Sequence, residues 1–432
     1  MFGSACKRSE TFAAASVAGA LFAFYFGYEI LRSANSTMFN EVCGTQHLSL
    51  AAALAVPASL LATLGASYLI ERLGTSMTLC CVAVLTVTVF SVVALSSVAL
   101  REQCEVVVVS YIVREVYVCL IGSHIWAHFN TWLSERATAR MLGPVEGIAA
   151  IGGTLGGLAV AHLRVGETLH PSAVCAWAAA ISLSVVLALV HNAAGVLGQP
   201  SRTSSTGSAG SGTGTRSGGG GSSLRQQLVA LGKSRVLCAI FAMVLCMQIA
   251  SGNLVIALQT MLSTRYTDRA AMMRTNGLVN AANNFGAALA QFTATPFLLQ
   301  RYAPGTIHVG LATANLAMCV IAYLLPSVAT AAAAYVLFKS SGYSIAASAF
   351  EMVYARLGFD ERFHGKAFIQ SVAYRAGKGA TFFIMPLVTS AFALQPLQLH
   401  QMLAVLAAAG WLTMSGALHL AQRDTATKLH RN

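Results

Sequence analysis

Gln199–Ser223 reads QPSRTSSTGSAGSGTGTRSGGGGSS, a tract of Ser, Gly and Thr that includes Gly218 to Gly221. Such a composition cannot bury a core, so the tract is expected to be a disordered linker. As a Gly-rich coil it would span roughly 25–30 Å, enough to join two bodies without fixing their orientation. On either side the chain is strongly apolar. The 432 residues are 56% hydrophobic and only 10% charged, with a mean hydropathy of +0.65, whereas a soluble protein carries about 25% charged residues. These values exclude a soluble globular protein and point to a polytopic membrane protein surrounded by lipid bilayer.

About 20 apolar residues cross a bilayer, and twelve segments are long enough to do so. They lie near 11–33, 49–70, 77–99, 106–131, 141–162, 172–196, 236–262, 275–299, 306–326, 329–354, 366–392 and 397–421. The expected architecture is therefore all-α, with an N-terminal six-helix half (1–198), a cytoplasmic linker (199–224) and a C-terminal six-helix half (225–432). Lys7 and Arg8 precede the first apolar run, but that run continues to Arg32 without a small-residue cleavage site. It reads as the first span, not a signal peptide.

The net charge of +12 follows topology and implies no nucleic-acid partner. Lys and Arg gather at the termini and in alternate loops, which places both termini in the cytoplasm. Ten cysteines, among them Cys80, Cys81, Cys119, Cys175, Cys246 and Cys319, lack CxxC spacing. They read as small apolar residues, not a disulfide framework or metal site.

The halves repeat an order of features. A span, a charged turn and a Gly-rich span run from Tyr111 to Gly157 and again from Tyr335 to Gly379. Parallel six-span repeats are the signature of major facilitator transporters, with a midplane site between the halves. Glu71-Arg72-Leu73-Gly74 resembles the loop motif that follows the second span in that superfamily.

Ionisable and amide residues inside spans are the site candidates, because each intramembrane Arg or Lys costs roughly 2.5–3.5 kcal/mol and normally faces a partner or a wet cavity. Span one holds Glu29, Arg32 and Asn35; Glu29 and Arg32 either neutralise each other or leave Arg32 to meet an anion. Span four holds Arg114 and Glu115, which point about 100° apart and so are not expected to share a partner. Glu115 is read as a cavity carboxylate or a structural tie. His124 and His128 have metal-like i, i+4 spacing but no third ligand, so an interfacial role competes with metal binding. Gly143, Gly147, Gly152, Gly153, Gly156 and Gly157 are expected to let helices approach closely.

Asn276, Asn280, Asn283, Asn284 and Gln291 share one face of span eight, which should line water or another helix's polar atoms. Lys339 and Glu351 are expected near one face of span ten, with Glu351 able to tie Arg356 or Lys366 as a gate. Arg375 and Lys378, at i, i+3 in the next apolar segment, mark an anion half-site. No nucleophile–base pair or cofactor motif stands out, so an enzyme and a resident cofactor are not expected.

Glu351-Met352-x-Tyr354, Gly365-Lys366-Ala367-x-Ile369 and Arg375-x-Gly377-Lys378 are together similar to the EM-x-Y, GKA-x-ID and R-x-GK signature of the ATP/ADP antiporter family. Leu31-Arg32 resembles its first-span LRD-x-KD motif. The resemblance implies nucleotide exchange by alternating access in a bacterial inner membrane, or less favourably a plastid inner membrane, by a monomer. It implies phosphate contacts from Arg32, Arg375 and Lys378, nucleoside contacts from Asn280 and Asn284, and coupling through Glu115, with Glu29, Glu351 and Lys366 in gating. The chain departs from the motif: Ser33, Asn35 and Ser36 stand where the exchangers have Asp, Lys and Asp. A small anion of lower charge than ATP, or proton-coupled transport of another polar solute, fits those departures.

Overall fold

The computed structural model describes residues 2–132, 135–162, 169–197, 231–232, 234–354, 357, 369–374, 377, 379 and 396–429. The helices are α1 (Phe2–Val42), α2 (Leu48–Leu73), α3 (Thr75–Leu95), α4 (Cys104–Trp132), α5 (Glu135–His162) and α6 (Pro171–Leu197). They continue with α7 (Arg235–Arg265), α8 (Arg269–Phe292), α9 (Pro304–Leu324), α10 (Val328–Ser341), α11 (Ala347–Tyr354) and α12 (Pro396–Leu429). A π turn, Gly342–Ala346, joins α10 to α11.

Eight of these, α1, α2, α3, α5, α6, α7, α9 and α12, are long and apolar enough to cross a membrane. The others, α4, α8 and the pair α10 and α11, hold much of the charge and amide content expected inside spans. Of the apolar segment at 366–392 only 369–374, 377 and 379 are described. Large apolar side chains such as Leu61, Leu64, Leu85, Trp177 and Ile181 face outward, as lipid-contacting surfaces do.

Local chemistry sets the helix ends. Gly74 takes φ 84° and ψ 168° between α2 and α3, a conformation essentially reserved for glycine. That is the physical content of the Glu71–Gly74 motif. Asp268 caps α8 by accepting from the amides of Ala270 and Ala271, and Ser327 and Thr330 form a capping box on α10.

Two large cores divide by sequence. One draws on α1, α3, α4, α5 and α6, joined by Met273 of α8. The other draws on α7, α9, α10, α11 and α12. Between them α5 packs extensively on both α1 and α8, and the glycines explain how. A Cβ at Gly152 or Gly156 would fall 2.3 Å or 2.2 Å from the carbonyl oxygens of Phe22 or Phe26 of α1. One at Gly157 would fall 2.6 Å from the carbonyl oxygen of Gly277 and 2.7 Å from the amide of Ala281, both in α8. The close approach expected of this segment is therefore present on two sides of α5.

One expectation is corrected. Cys43 and Cys104 form a disulfide that ties the end of α1 to the start of α4. Both cysteines lie outside the apolar segments where scattering argued for inert thiols. The sequence spacing of 61 residues carries no local signature, so only the folded chain brings them together.

Gly157→Ala should lower the thermal unfolding midpoint of the detergent-purified protein, because overpacking against backbone costs about 1–3 kcal/mol. Gly195→Ala in α6, where a Cβ meets nothing within 4 Å, should leave it unchanged or raise it. Equal midpoints for the two variants would refute the close-approach account.

Candidate functional site

A cavity of about 670 Å³ lies between the two cores, within the 300–1,000 Å³ range of ligand sites. Its walls come from both halves of the sequence. Tyr28, Glu29 and Arg32 of α1 and Arg114 and Glu115 of α4 face Asn276, Asn280 and Asn284 of α8, with Tyr335 and Lys339 of α10. Glu146 of α5, Gln291 of α8, Tyr343 of the π turn and Tyr374 add to the polar lining, as do Asn40 and Gln259.

The centre of this wall is a network between α1, α8 and α10. Arg32 Nη1 donates to Glu29 Oε1 at 3.3 Å, and its Nη2 donates to the hydroxyl of Tyr335. Asn284 Nδ2 donates to the same Glu29 oxygen at 3.1 Å. Asn280 Nδ2 donates to Ser33 Oγ at 3.2 Å. Arg32 thus pairs with Glu29 and also lines the cavity.

The asparagine face behaves in the same double manner. Asn276, Asn280, Asn283, Asn284 and Gln291 are all buried, and all but Asn283 line the cavity. At one end Gln259 Nε2 donates to Asn276 Oδ1 at 2.9 Å, and Asn40 Nδ2 donates to Gln259 Oε1 at 2.7 Å. An ion pair between Arg269 and Glu41 lies just beyond. At the other end Gln291 Nε2 donates to Glu146 Oε2 at 3.2 Å. The stripe is therefore a row of hydrogen bonds across the seam as well as a cavity wall.

The expected placements of Asn35 and Glu351 change. Arg114 and Glu115 pair locally, with Nη2 donating to Oε1 at 2.7 Å, and both line the cavity. The long guanidinium stem spans the 100° between adjacent positions. It also donates to Ser36 Oγ at 2.9 Å and lies over the Tyr111 ring. Asn35 is fully buried against α4, donating to Ser110 Oγ at 2.8 Å, and does not line the cavity. Lys339 is buried at the cavity and donates to the Tyr343 hydroxyl at 3.3 Å, while Glu351 is exposed and off the lining. Twelve residues at about 100° each leave the two positions roughly 120° apart around a uniform α-helix, so spacing alone does not give them a shared face.

His124 hydrogen-bonds the Leu120 carbonyl and His128 stacks on Trp132. No cluster of three metal-type ligands occurs among the described residues. Arg356, Lys366, Arg375 and Lys378 lie outside the described residues. Their neighbour Gly377 packs against Leu245 and Gln248 of α7, and Gly379 packs against Val56 of α2.

Glu146, Asn40, Gln259 and Tyr343 are lining residues not expected from the sequence; for Glu146 the available signal is a single acid in an otherwise apolar, glycine-rich segment. Among the described lining residues Arg32, Arg114 and Lys339 balance Glu29, Glu115 and Glu146. The described lining thus carries equal numbers of basic and acidic side chains.

No protein-family model and no curated protein matches the chain. Solved structures do. A mutant form of the nucleoside transporter NupG aligns over 95% of this chain and 99% of its own, at 12% identity and TM-score 0.65. A D-xylose-proton symporter aligns over 93% and 96%, at 14% identity and TM-score 0.63. An auto-inhibited POT family peptide transporter aligns over 96% and 97%, at 11% identity and TM-score 0.62. Likeness at such identities is likeness of fold: the chain is an all-helical integral membrane protein of the major facilitator architecture.

Proposed function

We propose that the protein is a secondary active transporter that works by alternating access and carries a nucleoside or a nucleotide of low charge. The observation that carries this reading is the polar cavity at the seam, where Arg32, Glu29, Asn280 and Asn284 join helices of both halves. A solute that competes for these groups alters the bonds between the halves, which is what rocking transport requires. Amides and tyrosine rings suit a base and a ribose, and Arg32 and Lys339 suit a phosphate.

The resemblance over 351–378 extends the reading to Arg375 and Lys378 as further phosphate contacts. The equal numbers of basic and acidic side chains in the described lining support a solute carrying less charge than the three to four negative charges of ATP. A second reading, proton-coupled carriage of another small polar solute, is favoured by the same balance, since three carboxylates line the cavity.

We take the layout to be twelve spans in two six-helix halves, acting as a monomer in a bacterial inner membrane. The Cys43–Cys104 disulfide lies at the end of α1 remote from the N-terminus. Disulfides persist in oxidising compartments, which supports a cytoplasmic N-terminus.

Adenosine, AMP, ADP and ATP should be tested by thermal shift on the purified protein. A ligand at 100 times its Kd stabilises the native state by about 2.7 kcal/mol. Adenosine or AMP is expected to give the largest shift, and Arg32→Ala to abolish the AMP response. A panel in which only sugar phosphates or amino acids shift the midpoint would sink the nucleotide class. In proteoliposomes Lys378→Ala should lose counter-exchange while remaining folded; wild-type rates in that variant would remove Lys378 from the site.

A further inference from the structure

The three carboxylates of the cavity are held differently. Glu29 accepts from Arg32 and Asn284, and Glu115 accepts from Arg114. Among the described residues Glu146 makes no ion pair and accepts one hydrogen bond, from Gln291 Nε2 to its Oε2 at 3.2 Å. The other half of that amide is the informative atom. Gln291 is only 9% exposed, and its Oε1 is buried without a hydrogen-bond partner.

An ionised carboxylate can only accept, so it cannot satisfy an amide oxygen. A protonated carboxyl can. With a proton on Oε1, Glu146 donates to Gln291 Oε1 while Oε2 continues to accept from Nε2, which closes a paired acid–amide ring. A buried acceptor without a partner calls for a missing donor, and here the donor is one proton away. We propose that Glu146 and Gln291 form a proton-binding site that couples transport to a proton gradient, an inference that rests on the transporter reading above.

The position suits coupling. Glu146 belongs to α5 and Gln291 to α8, the two helices whose glycine contact brings the halves together. A Cβ at Gly143 would sit 3.7 Å from Gln291 Nε2, and one at Gly147 would meet the Phe292 ring. Protonation raises the bonds across this end of the seam from one to two, and deprotonation removes the second. The proton comes from cavity water and forms only an O–H bond with Glu146. It leaves to water on the opposite side once the seam has rearranged.

Among the described residues, the charged group that acts on Glu146 is Glu351 of α11, a like charge. Glu146 in turn acts on Tyr25 of α1, and Glu29 of α1, Cys119 of α4, Lys339 of α10 and Tyr343 of the π turn line the same cavity. From α8 the nearby polar groups are amides.

The test uses the full-length protein in liposomes. Infrared difference spectra between alkaline and acidic buffer should show a protonated-carboxyl C=O band that Glu146→Gln removes. Gln291→Leu should shift that band to the frequency of a more weakly hydrogen-bonded acid. A band unchanged in Glu146→Gln overturns the proposal, whatever the solute is.

Uptake of radiolabelled adenosine and AMP is then compared with and without an inside-alkaline gradient. Wild type is expected to show several-fold stimulation, and the ratio in Glu146→Gln is expected to fall to one. Equal stimulation in both overturns the role of Glu146 and leaves the transporter reading intact. Wild-type protein that takes up neither solute fails the nucleoside and nucleotide reading, while the infrared band still decides the proton site.

Discussion

A polar group in the bilayer core has no water to bond, so every charge and amide there must find a partner within the protein or face an aqueous cavity. The seam of α1, α5 and α8 is the solution this chain adopts. Charges are neutralised in pairs, Arg32 with Glu29 and Arg114 with Glu115. The amides of α8 are spent on Ser33, Glu29 and Glu146 across the seam. What those bonds leave unoccupied is a polar cavity, so packing and site arise from one constraint.

The same seam has two mechanical characters. Glycines of α5 bring its backbone against α1 and α8 so closely that any side chain would collide with a carbonyl or an amide. Such contacts gain from dispersion and small size, not from directional bonds. The hydrogen bonds that flank them are directional and exchangeable. For the transport proposed above, a close pivot beside breakable polar ties would let the ties be reassigned to a solute while the pivot stays packed.

The π turn at Gly342–Ala346 has a related effect. It lies directly below Lys339 and holds Tyr343 at the cavity, where the hydroxyl accepts from Lys339 Nζ. Irregular turns of this kind are common at functional sites.

The sequence by itself determined the membrane class and the polar face of α8. These depend on composition and on the 3.6-residue period, which are properties of single segments. It also marked Arg32, Glu29, Glu115, Asn280 and Asn284 as cavity residues, because an ionisable or amide side chain in an apolar run is conspicuous. Only the tertiary structure decided which partner each residue meets. The burial of Asn35 against Ser110, the Arg114–Glu115 pair, the Cys43–Cys104 bridge and the Glu146–Gln291 contact depend on the rotation and distance between helices or on side-chain reach. Those quantities are set by which small residues allow approach, by where a turn departs from 3.6 residues and by how far a long side chain extends, and none of them is written in the period of any one segment.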